Sequence, residues 1–299
     1  PADFVESYNW KAEPTTGPYY LESYVKGESV RFKKVANWWG HALLQNKYRY
    51  NPEFLEYKVI TGGNDITREY FYKGELDNFY QIIPQEWAEG GNAQRFTQGY
   101  IDRYYSFYVP MQGMQGIFFN TQYPLFSDKN VRVGMYYAVN IQKMIDTTLR
   151  GEYARNHNMA IGHVFAGINF DDDSIRKPNF DAKKAGEYFD KAGYSIIGAD
   201  GIRQNAKGQK LSFEMLYQSP NHTERLTVLR EEAKLAGVDM QLKMMQSGMF
   251  TVVLEKKHQA AWFGMGTSLI SDYYQFFHSS NVKPRSEERR VGKECRSRW

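Results

Sequence analysis

The stretch that decides the fold is residues 211–266, LSFEMLYQSPNHTERLTVLREEAKLAGVDMQLKMMQSGMFTVVLEKKHQAAWFGMG. Its first run, Leu211 to Tyr217, reads as a strand. Thr223 to Ala236 puts Leu226, Leu229 and Ala233 on one helical face, with Gly237 just past the end as a stop. Val238, Met240, Leu242 and Met244 then alternate with polar residues, the period of a half-buried strand. Ser247 is placed to cap a helix reaching about Lys257, and Ala260 to Met265 makes a third strand. Strand–helix–strand–helix–strand with short joints predicts parallel strands joined by crossovers, hence an α/β lobe.

Upstream, the same reasoning extends the lobe. Asp181 caps a helix with Ala185, Tyr188, Phe189 and Ala192 on one face and Gly193 as its stop. Asp128 or Asn130 caps a helix through Ala138, and Asn140 caps another ending near Gly151. Around Val109 to Phe119 the composition changes to VPMQGMQGIFF, which reads as a crossover between two lobes. Before it, the chain is rich in Tyr and Trp and reads as short strands and loops. Tyr19 to Tyr24 and Ser29 to Lys34 form a hairpin across the Lys26-Gly27-Glu28 turn. Asn64 caps a helix running to about Lys73, with Gly74 as its stop. Asp77 to Ile83 reads as a strand, and Pro84 opens a short helix through Trp87.

The 299 residues carry 38 basic and 34 acidic side chains. The last fifteen, Arg285 to Trp299 (RSEERRVGKECRSRW), hold six of the basic and three of the acidic ones. Without them 32 stand against 31, so the basic excess is mostly tail and gives no nucleic-acid signal. The tail itself reads as a translated sequencing adapter. The adapter opening AGATCGGAAGAGC translates in frame into Arg285 to Arg289, and the match continues through Trp299. The tail also holds Cys295, the single cysteine, so no intrachain disulfide and no cysteine zinc cluster can form. No apolar run is long enough to span a membrane as a helix.

Catalytic signatures are missing: no G-x-S-x-G, no H-E-x-x-H, no Walker A and no full G-x-G-x-x-G occurs. His157 and His163 lie six apart, and Asp171-Asp172-Asp173 resembles half a calcium loop without its Gly and distal Glu. Neither makes a metal site, and no cofactor is implied. Carboxylate pairs such as Glu75 with Asp77 are at background for a glycosidase. The informative feature is aromatic excess, with 23 Tyr, 19 Phe and 6 Trp. Flat apolar faces with polar tips suit peptides, sugars or stacked rings.

Several blocks resemble a known family in order. Thr15-Thr16-Gly17-Pro18-Tyr19-Tyr20-Leu21, then Lys26 to Phe32, then Ala36-Asn37-Trp38-Trp39-Gly40 resemble its "TGPY-x-L … N-x-x-Y-W-G" run. Phe118-Phe119-Asn120-Thr121, Pro124-Leu125-Phe126, Asp128 to Arg132 and Ala138-Val139-Asn140 resemble "FNT … P-x-F-x-D-x-x-VR … A-x-D". Ala192-Gly193-Tyr194 through Asp200-Gly201, Gly208 and Leu211 resemble "AGY … DG … G … L". These are motifs of the extracellular solute-binding proteins of family 5, the peptide-type receptors of ABC transporters.

The resemblance implies a two-lobed, periplasmic-binding-protein-like α/β fold (type II, peptide-receptor branch) that closes on its ligand by a hinge. It also implies a fragment. Residues 1–110 would be the rear part of lobe one, 111–284 lobe two, and 285–299 the artefactual tail. The implied partners are an oligopeptide or other small-molecule ligand and a membrane permease, with no nucleic acid and with the protein a monomer. The implied place is periplasmic or otherwise extracytoplasmic. An oligosaccharide or metal-chelate receptor of the same fold is the alternative, and a carbohydrate-active hydrolase a more distant one.

The expected ligand-binding residues are Gln112, Met114, Gln115, His163, Phe165, Trp262, Met265, Thr267, Tyr273 and Tyr274. Glutamine amides can pair with a peptide backbone, while Met and aromatic side chains form adaptable apolar pockets. One departure bears on specificity. The family places an amine-binding acid just after the strand at Ala261 to Gly266. Here Thr267 and Ser268 hold that place, and Asp272, with Phe276 and Phe277, resembles the later "D-P-x-x-F" part. A hydroxyl cannot neutralise an ammonium, so weak discrimination between free and N-blocked peptides, or a ligand that is not a simple peptide, is expected.

Overall fold

The computed structural model describes residues 15–80, 84, 87–88, 93–104, 113–153, 155 and 178–266. The chain forms two compact units, Pro1–Gln81 and Ile82–Trp299. The lobe boundary expected at 110 falls within the second unit, outside the described residues.

In the first unit, β1 (Tyr19–Val25), β2 (Ser29–Lys34) and β3 (Phe54–Lys58) form an antiparallel sheet in that order. Gly27, at φ 77°, turns the first hairpin. A short 3-10 turn, Trp39–Ala42, follows. Its aromatics are tied down by one acceptor: Trp38 and Trp39 both donate their indole N–H to the Thr16 carbonyl, at 2.7 and 3.1 Å. Helix α1 (Asn64–Tyr72) is preceded by Gly63, at φ 86°, as its cap residue. Asn64 is therefore the first helical residue and not the cap expected of it. Residues 77–80 are not a strand; Phe79 instead stacks on Phe71 of α1 at 5.8 Å. The only buried residue described in this unit is Gly40, and Trp39, Leu44, Tyr48 and Tyr57 are exposed.

The second unit contains α2 (Gln94–Thr97), β4 (Gly113–Phe119), α3 (Pro124–Ser127), α4 (Lys129–Ala138), α5 (Ile141–Thr148) and α6 (Ala182–Lys191). A small hairpin, β5 (Ile196–Ile197) with β6 (Arg203–Gln204), precedes β7 (Ser212–Tyr217), α7 (Thr223–Leu235), β8 (Asp239–Met244), α8 (Met249–Leu254) and β9 (Ala260–Gly266). The caps fall on the residues expected from sequence. Asp128 accepts from the Asn130 amide at 2.6 Å, Asn140 from Lys143 at 3.0 Å, and Asp181 from Lys184 at 2.9 Å. Helix α8 is shorter than expected. Gly248, at φ 75°, precedes it in place of a Ser247 cap, and Lys256, at φ 57°, turns the chain away beyond it.

The main sheet runs β4-β9-β7-β8. Strand β7 is parallel to both β8 and β9, as the crossover pattern predicts, while β4 is antiparallel to β9. One face of the sheet packs against the helices α3 to α7, through Phe126, Met135, Phe189, Leu226 and Leu229, all fully buried. The other face carries a smaller cluster of Leu216, Met249 and Ala261 under α8. Burial of so many apolar side chains, at about 25 cal/mol per Å², supplies most of the cohesion of this unit.

Candidate functional site at the carboxyl end of the sheet

Open α/β sheets bind ligands beyond the carboxyl ends of their parallel strands, because loops and helix N-termini converge there. In this unit that end is marked by Tyr217, Met244 and Gly266. The antiparallel β4 enters at the same end, with Gly113 opposite Gly266, Met114 opposite Met265, and Gln115 opposite Gly264. Four glycines, Gly113, Gly116, Gly264 and Gly266, thin the ribbon there. A Cβ built on Gly116 would meet nothing within 4 Å. The absent side chain therefore serves no internal packing and leaves the backbone open to close approach.

Alternation decides which side chains share a face. Phe263 packs edge-on against Phe118 at 5.9 Å on the α8 side. Trp262 lies on the opposite face, within the core that includes Ile117 and Phe119. Gln115, two residues before Ile117, shares that face and is exposed. Trp262 is 5% exposed, and its indole Nε1 has no hydrogen-bond partner among the described residues. Its ring meets the His222 ring edge-on at 6.2 Å.

His222 stands between β7 and α7, at the helix's N-cap position, and makes no side-chain cap bond. The next residue, Thr223, exchanges a 3.0 Å hydrogen bond with the Tyr217 hydroxyl, which ties the start of the helix to the end of the strand. Burial, and then the neighbouring Arg225 charge, hold the imidazole below its usual pKa. His222 is therefore neutral at pH 7. Arg225, in the first turn of α7, is half-buried, and that burial lowers its own basicity against the opposing influence of Tyr153 and Glu224.

Tyr153 reaches this end because α5 runs antiparallel to α7. Asn140 and Lys143, at the start of α5, bond Glu232 near the end of α7, at 2.8 and 2.6 Å. The chain leaving α5 consequently arrives beside the start of α7.

Of the residues expected to bind ligand, Gln115 and Trp262 come together on one face, and the Met114–Met265 pair sits at the ribbon's open end. Gln112, His163, Phe165, Thr267, Tyr273 and Tyr274 lie outside the described residues, as do His157, Ser268, Asp272, Phe276, Phe277 and the acidic run Asp171 to Asp173. Sequence reasoning missed His222, Arg225 and Tyr153. Among the described residues no group of His, Cys, Asp and Glu could hold a metal ion, and no helix is long and apolar enough to cross a membrane.

The unit is an open α/β sheet whose strand ends carry Gln115, Trp262 and the adjoining His222. The chain belongs to the bacterial extracellular solute-binding proteins, family 5 Middle, which it matches over residues 2–286. It is 21% identical over 264 residues to the uncharacterized protein YejA of Escherichia coli, covering 79% of this chain and 43% of that one. Its fold is similar to that of the periplasmic oligopeptide-binding protein of an oligopeptide ABC transporter from Thermotoga maritima. There the TM-score is 0.73 at 21% identity, covering 96% of this chain and 54% of that one. It is also similar to the oligopeptide-binding protein AppA of Bacillus subtilis in complex with a nonapeptide, with TM-score 0.67 at 17% identity, covering 91% and 52%. These likenesses establish the periplasmic-binding-protein-like α/β fold. The chain spans less than half the length of the curated relatives it matches.

Proposed function

We propose that this chain is the ligand-binding part of an extracytoplasmic receptor that delivers oligopeptide-class ligands to a membrane ABC permease for import. The observation that carries the reading is the open, glycine-thinned end of the β4–β9 ribbon beside Gln115, Trp262 and His222. Exposed backbone and an amide side chain there offer donors and acceptors to an extended peptide, and β4 is an edge strand among the described strands, to which a further strand can add. The neighbouring aromatic and Met residues tolerate varied side chains. Family membership and the nonapeptide complex of the similar B. subtilis protein support the same class. The remaining expected contacts, Gln112, Met114, His163, Phe165, Met265, Thr267, Tyr273 and Tyr274, belong to this proposal, as do the lobe division at 110, the monomeric state and the absence of an enzymatic activity.

The test is calorimetric titration with mixed-sequence peptides of two to nine residues, run beside mannohexaose. The oligosaccharide arm is warranted because the T. maritima protein has also been solved with mannohexaose bound. Saturable peptide binding without turnover is expected. Binding of the oligosaccharide alone, or peptide hydrolysis during the titration, would overturn the peptide-receptor reading.

A further inference from the structure

We propose that the first unit carries a glycan-binding platform, on which the exposed indole of Trp39 stacks a neutral, β-linked, gluco-configured pyranose ring. Its residues are separate from those of the site on the second unit, and binding there is independent of the receptor reading.

The platform holds an aromatic ring still in water. Trp39 is 66% exposed, so hydrogen bonding fixes it where burial does not. Its indole N–H shares the Thr16 carbonyl with that of Trp38, at 3.1 and 2.7 Å. Trp38 is itself wedged in place. A Cβ on Gly40 would overlap its ring, and the His41 and Tyr50 rings meet it edge-on at 5.5 and 5.3 Å. Trp39 leans on that fixed ring with centroids 5.6 Å apart, tilted by 55°. An exposed side chain ordinarily loses entropy when a ligand orders it, and here the ordering precedes binding.

The segment that follows adds strain without burial. Tyr48 and Tyr50 stand in the left-handed backbone region, at φ 67° and 57°, a conformation unfavourable for a tyrosine. For Tyr50 the contact with Trp38 offsets it. Tyr48 is 81% exposed, and among the described residues its ring carries only the Lys47 ammonium, at 5.0 Å. Residues 45–51 read QNKYRYN, so both charged side chains are basic and alternate with the rings. Lysine is depleted from the centre of protein interfaces, and a cationic guest would meet repulsion. A pyranose suits both features. Its axial C–H groups meet the negative face of the indole, while its equatorial hydroxyls reach outward to the rim, where His41 and Gln45 are exposed. In the β-linked gluco configuration both ring faces present only C–H groups. A manno ring carries an axial hydroxyl at C2 and loses one of them.

The experiment titrates the native chain, Trp39→Ala and Trp39→Phe with chitohexaose, cellohexaose and mannohexaose in a calorimeter, with and without alanine peptides of two to nine residues. The native chain is expected to bind chitohexaose and cellohexaose saturably and mannohexaose more weakly, with no displacement by the peptides. Trp39→Ala should weaken binding of the first two about tenfold, the scale of one lost stacked ring. Trp39→Phe should retain part of the affinity, since it keeps a ring and loses the N–H that pins it. In both variants Trp38 keeps its own bond to Thr16, so the melting temperature should hold. Failure of the native chain to bind either gluco-configured oligomer overturns the inference, as does equal affinity for mannohexaose, and these arms need no variant to fold. Glycan binding that survives Trp39→Ala, or that the peptides displace, puts the sugar elsewhere and overturns it too.

Discussion

Replacing Glu232 with Gln tests how the helical layer behind the site is held. Glu232 is 6% exposed. It accepts from the Asn140 amide at 2.8 Å and from the Lys143 ammonium at 2.6 Å, while Asn140 also caps α5. One carboxylate thus locks the start of α5 to the end of α7. Gln keeps the volume but offers one acceptor oxygen, so its NH2 group faces one of the two donors. Lys143 is half exposed and recovers much of its lost interaction from water. The loss is then chiefly one charge-assisted bond to the part-buried Asn140 amide, about 1.5–3 kcal/mol. For a unit of this size that lowers the melting temperature by about 3–12 °C.

The pH dependence follows from the same contacts. Burial pulls the Glu232 pKa up, but the hydrogen bonds from Lys143 and Asn140 and the lysine charge outweigh it, and the net direction is down. A carboxyl depressed in the folded state stabilises fully above its unfolded pKa, roughly 4.3, and loses that contribution as pH falls through the folded value. Calorimetric melts of native and Glu232→Gln protein should therefore differ at pH 7 and converge in acid. A gap below about 0.5 kcal/mol at pH 7, or one unchanged into acid, would refute the reasoning.

Three further outcomes are expected. Gly134→Ala should cost about 1–3 kcal/mol, because the new methyl would sit 2.4 Å from the fully buried Phe189 ring; Phe189→Leu in the same chain should recover part of the loss in urea melts. Deleting Arg285 to Trp299 should leave stability within about 0.5 kcal/mol, and a larger drop would show that the tail takes part in folding. His258 is 8% exposed with Nδ1 unpartnered, and burial, followed in smaller measure by the Lys256 charge, holds its pKa down against a bond to the Val252 backbone. Its neutral form is favoured in the folded state, so stability should be complete above about pH 6.5 and fall as pH drops below it, by about 1.4 kcal/mol for each unit of depression. His258→Gln should flatten that limb of the pH–stability curve, and an unchanged limb would remove His258 as its source.

The sheet of the second unit was legible because two periods change cleanly along residues 211–266. Alternation in Val238 to Met244 and the three-to-four spacing of Leu226, Leu229 and Ala233 admit one arrangement, and Gly193 and Gly237, at φ 86° and 81°, end helices where a side chain would be strained. Strand β3 was missed for the opposite reason. FLEYK has no clean alternation, and four of its five residues are exposed, so its pairing with β2 comes from the neighbouring strand and not from its own pattern. The strand expected from Asp77 is not formed over residues 77–80, where Phe79 stacks on Phe71 of α1.

The site was legible only where it lies on the ribbon. Gln115 and Trp262 were chosen for chemistry, and the antiparallel register then brought them to one face. That outcome depends on Ile117 opposing Trp262, since a slip of one residue would have put Trp262 under α8. His222 and Arg225 carry no motif, and a lone histidine in a sequence is more often a surface residue than a ligand group. What makes them part of a site is topology. Because β7 and β9 are parallel, the turn leaving β7 is carried to the flank of Trp262, and because α5 returns along α7, Tyr153 joins them. The strand-end rule for parallel sheets directs attention to the turn after Tyr217 before any coordinates are known.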